Sequence, residues 1–289
     1  MVSLGIFITT HLHPGYRHGN SLDNTLFDSF INKTIKSLTS FNSGMKQHVY
    51  ICDTGSTTKS YIDWTQSRLP INMTKIDIPN HCGCWAAMKY LMHINPELSD
   101  NFDYLLFQVD DDGCYPQKDH WAIDLLDKYE KDKRIGVMGR VLDTLILGPS
   151  GLVEHRNCCP QIARIWGITE NTKIPALHAN WHFMTRQVLK DMSNIWYEPF
   201  HSKEAMDYLK KWENEDFCKL ADMSDNRQTL DNVHIGREIE FVLRLQTLGK
   251  RACSYEGTAV YPNAIESYSH WKNPKLPAAG HHGEYKYED

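Results

Sequence analysis

Apolar and polar positions along the chain fall into blocks that predict strands alternating with helices. The stretch 104–115 reads Y-L-L-F-Q-V-D-D-D-G-C-Y, a nearly continuous apolar run that passes straight into three carboxylates and a glycine. Such a run is expected of a central parallel strand with both faces covered. Comparable runs at 4–10 (L-G-I-F-I-T-T), 47–52 and 73–78 predict three earlier strands. Between the first two, Leu26, Phe27, Phe30, Ile31, Ile35, Leu38 and Phe41 recur at helical spacing over 24–41, with one face inward. A helix after Asn80 carries Trp85, Met88 and Leu91 on one face, and an amphipathic helix after the acidic stretch carries Trp121, Leu125 and Tyr129. Strands alternating with helices of this length imply a mostly parallel sheet with helices on both faces, joined by right-handed crossovers.

The second half is less regular. A strand is predicted at 134–139, an irregular loop at 148–160, and a strand at 176–185 (A-L-H-A-N-W-H-F-M-T) that breaks near Asn180. Residues 195–231 are polar and aromatic with a mostly helical pattern, which reads as an insertion over the sheet edge. A strong helix at 234–248 turns Ile235, Ile239, Val242, Leu245 and Leu248 inward, and Gly249 supplies its C-terminal stop. A last strand at 251–255 precedes a tail containing Pro, Gly and His. The expected organisation is one α/β domain over 1–289, with halves at 1–115 and 116–289, the second holding the insertion.

Composition changes this picture little. The chain has 289 residues, 41% hydrophobic and 23% charged, which permits a sizeable core and argues against wholesale disorder. A net charge of -5 gives no general attraction to nucleic acid or anionic membrane. The first apolar run lacks a basic n-region, and no run approaches the roughly 20 residues of a membrane span. A soluble, cytoplasmic protein is expected, with its eight cysteines mostly reduced. The close pairs Cys82/Cys84 and Cys158/Cys159 do not have the spacing of paired zinc ligands.

The candidate chemistry lies at strand ends, where open α/β sheets bind their ligands. Asp110, Asp111 and Asp112 repel one another unless a cation or a hydrogen-bond network neutralises them, and hard oxygen ligands suit Mg²⁺ or Mn²⁺. An acidic turn that merely solvates the strand end is the alternative. The second strand ends in D-T-G-S-T-T from Asp53, which reads either as a ligand turn or as an Asx-turn capping the next helix.

Four segments together resemble a nucleotide-sugar-dependent glycosyltransferase of the A-type fold, closest to the large family 2 group. The likeness covers the chain except the insertion. It implies a single Rossmann-like domain with a nucleotide-binding half at 1–115 and an acceptor half at 116–289, in which Thr9, Thr10 and Asp53, within I-C-D-T-G-S-T, hold the base and ribose of the donor. The 110–112 run matches the family's D-x-D motif, so the resemblance places Asp110 toward the ribose or metal and Asp112 on the metal at the diphosphate. G-R-E-I-E-F-V-L-R-L-Q-T-L-G-K-R (236–251) is similar to the family's G-E-D-x-x-x-x-x-R-x-x-x-x-G helix, which makes Glu238 the general base of an inverting reaction. Arg237 stands where the family usually has an acid. Glu238 and Glu240 also read as exposed helix carboxylates near an N-terminus.

H-A-N-W-H-F-M-T-R (178–186) resembles the strand against which the donor sugar lies, with Asn180 and Trp181 as its wall. A buried core tryptophan is the other reading of Trp181. S-Y-S-H-W (267–271) is similar to the C-terminal histidine that completes the metal shell, here His270. The implied cofactors are Mn²⁺ or Mg²⁺ and a nucleotide-sugar, a UDP-sugar first, with a glycan or other hydroxyl as acceptor and a DNA base as a remoter one. Two alternatives stay open. A sugar-nucleotide nucleotidylyltransferase would want a Gly-rich basic loop after the first strand, where this chain has His11-Leu12-His13-Pro14. A non-catalytic nucleotide- or sugar-binding module would bind without turnover.

Overall fold

The computed structural model describes residues 2–10, 38, 40–55, 73–78, 85–109, 114–116, 118–146, 172–195, 241–242, 244–255 and 260–262. The expected loop at 148–160 and most of the expected helix at 24–41 and of the insertion lie outside these residues. The fold is α/β. Among the described residues seven strands form one mixed, mostly parallel sheet in the order β3-β2-β1-β4-β7-β6-β8, and β5 pairs with β9 in a separate two-stranded sheet.

The first four strands are β1 (Ser3–Thr10), β2 (Lys46–Asp53), β3 (Met73–Asp77) and β4 (Tyr104–Val109), all mutually parallel. Their register is fixed by a row of rings. Phe7 pairs with Tyr50 on β2 and with Phe107 on β4, and it stacks on both, at centroid distances of 4.7 and 5.6 Å. Phe102 meets Phe7 and Tyr50 edge-on. Each such aromatic pair contributes about 0.5–1.5 kcal/mol beyond its burial, and slipping a strand by one residue would send its rings to the opposite face. Gly5 is required here, because a Cβ on it would fall 2.7 Å from Cδ2 of Phe102.

β6 (Ile135–Ile146) and β7 (Thr172–Thr185) are longer than their patterns predict. β7 runs antiparallel to both neighbours, β4 and β6, while β6 pairs in parallel with β8 (Arg251–Ser254). This qualifies the expected run of parallel crossovers. Sequential antiparallel strands need no crossover helix, and the pattern between β6 and β7 indeed offered a loop. The expected break near Asn180 is a bulge. Gly139 pairs with His182 and Val141 with Leu177, so one β6 residue faces four on β7. Gly139 accommodates it, since a Cβ there would lie 2.7 Å from the Trp181 carbonyl oxygen.

Helices cover both faces. α1 (Ala86–Lys89) widens into a π-helical turn over Tyr90–Ile94, and a 3₁₀ segment, Pro96–Asn101, leads into β4. α2 spans Trp121–Lys131 and α3 Arg186–Ile195; residues 241–242 and 244–247 belong to a fourth helix, α4. On one face α2 buries Trp121, Leu125 and Tyr129 against Ile6, Ile8, Leu106, Trp181 and Phe183. On the other, Trp85, Met88 and Leu91 join Val188, Leu189 and Met192 of α3 and Phe241, Val242 and Leu245 of α4 over Phe7, Leu105 and Phe107. α4 ends as its sequence predicts. Gly249 adopts φ +67°, its N–H donates to the Gln246 carbonyl, and the Lys250 N–H reaches back to Leu245, the paired bonds of a Schellman cap. No helix among the described residues is long and apolar enough to cross a membrane.

Candidate functional site

The strand order locates the place where a ligand is expected. The chain builds outward from β1 through β2 to β3, then returns to lay β4 on the opposite side of β1. The strand order thus reverses between β1 and β4, and the crevice outside the carboxyl ends at such a reversal is where open α/β sheets bind their ligands. Register brings the named residues to that edge. Thr9 pairs with Cys52 and Val109, Thr10 with Asp53, and Asp53 with Asp77.

Thr9, Thr10 and Asp53 are buried together at this edge. Thr54 ties the β1 and β2 ends: its N–H and its Oγ1 hydroxyl both donate to the Thr10 carbonyl at 3.0 Å. The Asp53 carbonyl accepts from the Ile78 N–H at 2.8 Å, which ties β2 to the end of β3. Gly55 then turns the chain with φ +82°. The residues that Asp53 would cap as an Asx-turn lie outside the described ones.

The Asp53 carboxylate meets a cation that sequence reasoning passed over. Lys75 on β3 places Nζ 3.4 Å from Asp53 Oδ2 and 2.7 Å from Asp77 Oδ1. Partial burial pulls the ammonium's pKa down, but the hydrogen bond to Asp77 and the charge of Asp53 outweigh it, and the net shift is upward. The signal was present in M-T-K-I-D, where a lone lysine sits two residues before the acid that ends the strand. Cys52 beside them is buried, and burial followed by the neighbouring Asp53 charge pushes its thiol well above the usual range. That shift disfavours the thiolate, the form in which a cysteine is nucleophilic. Cys52 and Cys253 are both free thiols.

Asp110 and Asp112 lie outside the described residues, as do Glu238, Glu240 and His270. What brackets the acidic stretch is described. β4 ends at Val109, and β5 (Cys114–Pro116) follows, paired antiparallel with β9 (Val260–Pro262). Neither three-residue strand was foreseen. Among the described residues no group of His, Cys, Asp or Glu is arranged to hold a metal.

Trp181 requires a correction. It is 0% exposed and sits in the core, stacked on Phe183 at 6.2 Å and edge-on to Tyr255 at 5.3 Å. Strand alternation turns it inward, toward α2, so it does not wall a sugar site. Asn180 precedes it within the β7 bulge, and β-bulges are over-represented beside active sites. By register, β7 residues before Trp181 and the β6 residues paired with them run past the carboxyl end of β4 and flank the crevice.

Three further polar residues lie inside the core. Gln108, the polar member of the β4 run, is buried opposite Trp181, and neither of its amide atoms has a hydrogen-bond partner among the described residues. His182 stacks on Trp85 at 4.6 Å. Arg244, at the arginine position of the 236–251 motif, is buried, and its guanidinium donates to the Ile195 carbonyl at the end of α3.

No protein-family profile matches the chain, and no curated protein matches it. Among solved structures, the chain is similar to the crystal structure of HddC from Yersinia pseudotuberculosis at 11% identity and a TM-score of 0.35, over 73% of this chain and 86% of that one.

Proposed function

We propose that this protein is a metal-dependent glycosyltransferase that moves a sugar from a nucleotide-sugar to a hydroxyl acceptor with inversion, on a single Rossmann-like A-type domain. One observation carries the reading. The β3-β2-β1-β4 order reverses beside the strand ends that carry Thr9, Thr10 and Asp53, and in sequence β4 passes directly into Asp110, Asp111 and Asp112. In this reading Asp53 and the two threonines take the base and ribose, and Asn180, in the bulge that flanks the crevice, contacts the sugar. Asp110, Asp112 and His270 would hold Mn²⁺ or Mg²⁺, a donor set of hard oxygens and one imidazole that suits either ion. The bound cation would stabilise charge on the departing nucleoside diphosphate. Glu238 accepts the acceptor's proton. The free thiols of Cys52 and Cys253 fit a reducing compartment such as the cytoplasm.

The reading is tested by a donor-hydrolysis screen with Mn²⁺ across UDP-, GDP-, CMP- and dTDP-sugars, UDP-sugars being expected to turn over. Asp112→Asn removes charge without volume and should abolish that turnover at unchanged melting temperature. Near-wild-type turnover of this variant in Mn²⁺ would refute the metal assignment, and no turnover of any donor by the wild type would refute the activity.

A further inference from the structure

Lys75, Asp53 and Asp77 form a triangle of charges at the β2–β3 end of the crevice. Lys75 and Asp77 alternate onto the same face of β3, and Asp77 is the register partner of Asp53. The two carboxylates differ in setting: the Asp77 side chain is 77% exposed, that of Asp53 5%. The shorter contact, 2.7 Å, goes to the exposed Asp77, and the ammonium spans from it to the buried Asp53 at 3.4 Å. An exposed ion pair on its own contributes little, whereas a carboxylate withdrawn from water requires a compensating partner. The lysine is thus tethered on its solvent side and spends its charge on the buried side.

We propose that Lys75 is a positioning residue for the nucleotide end of the site: anchored by Asp77, its ammonium fixes the Asp53 carboxylate in the orientation that accepts hydrogen bonds from the bound nucleotide. This rests on the glycosyltransferase reading. Lys75 acts through Asp53 and touches no reacting atom. A carboxylate held in this way meets its ligand without first having to be ordered, which improves affinity by lowering the cost of binding.

The test is calorimetric titration of the full chain with Mn²⁺ and UDP, GDP, CMP or dTDP, followed by the tightest of these with the variants Lys75→Met, Lys75→Arg, Asp53→Ala and the Lys75→Met/Asp53→Ala double. Lys75→Gln serves if the methionine variant does not fold. Lys75→Met should weaken nucleotide binding roughly tenfold, the scale of one charge-assisted hydrogen bond, and Lys75→Arg should restore most of it. In donor hydrolysis the loss should fall on KM with kcat retained. In the Asp53→Ala background Lys75→Met should add nothing, because the group it acts through is gone. Wild-type affinity in Lys75→Met overturns the inference, and so does failure of arginine to restore it. An undiminished further loss in the double variant also overturns it, since Lys75 would then contact the diphosphate directly. If no nucleotide binds the wild type, the glycosyltransferase reading fails and takes the inference with it.

Discussion

Replacing Tyr129 with phenylalanine should produce a loss of stability that depends on pH. Tyr129 is buried on α2, and its Oη lies 2.9 Å from the carbonyl oxygens of both Gly136 and Phe183. Its one proton serves both. Gly136 sits where the β6–β8 register slips, between the pairs Ile135–Arg251 and Val137–Ala252, so its carbonyl falls at an irregular point of the ladder. Phenylalanine keeps the ring and opens no cavity. What is lost is the donor, and a buried carbonyl left without one costs about 1–3 kcal/mol. Burial, with Tyr104 and Cys253 nearby, raises the pKa of the hydroxyl well above its ordinary value. The unfolded chain ionises this tyrosine near pH 10, about the model-peptide value. Above that pH the unfolded state holds fewer protons than the folded one, so stability falls as pH rises, by up to about 1.4 kcal/mol per unit from this group. Below it the full contribution is present. The phenylalanine variant lacks that slope. Urea unfolding should therefore show the variant less stable by about 1–3 kcal/mol at neutral pH with an unchanged m-value, and the gap should narrow near pH 11. Equal stability at neutral pH, or a gap that stays constant into the alkaline range, would refute the reasoning.

Two more outcomes follow from named contacts. Gly139→Ala would place a Cβ 2.7 Å from both the Trp181 carbonyl oxygen and Leu177 Cδ1; because the backbone atom cannot yield, a loss of about 1–3 kcal/mol is expected in thermal or urea unfolding, and a silent variant would mean that the bulge is not packed as described. Glu238→Gln should lose a rate factor of about 10²–10⁴ while keeping donor binding, whereas Glu240→Gln, which the helix expected from the sequence at 234–248 would set roughly 200° further round, should be nearly silent; equal behaviour of the two, or a product that retains the donor's anomeric configuration by NMR, removes the base assignment.

The first four strands were legible because burial on both faces leaves continuous apolar runs, and the 121–131 helix because Trp121, Leu125 and Tyr129 keep one face. Pairing partners were not. Nothing local in C-Y-P at 114–116 announces V-Y-P at 260–262, because a three-residue strand has no period to read and its partner lies far along the chain. The antiparallel course of β7 was recorded only as a loop where a crossover helix would otherwise stand. Thr9, Thr10 and Asp53 were legible as strand-end residues, and register pairs Thr10 with Asp53 and Thr9 with Cys52. Lys75 was missed because its role depends on two strands lying side by side. Trp181 was misassigned because a tryptophan beside a polar bulge reads the same whether its ring turns inward or outward; only the alternation set by its pairing with Gln108 decides.

The β7 bulge also bears on how this sheet tolerates insertion and deletion. Within an interior strand, a gain or loss of one residue normally inverts every side chain beyond it. Here the ladder is pinned on one shoulder by Leu177 opposite Val141 and on the other by His182 opposite Gly139, with the Trp181, Phe183 and Tyr255 rings packed behind the second. The chain between the shoulders already exceeds what the ladder needs. Positions 178–180 can therefore change in number without the change reaching either shoulder, which makes them a splice point within the core of the sheet. Lineages of this fold are expected to differ in length there, and an engineered residue inserted there should be absorbed without loss of register.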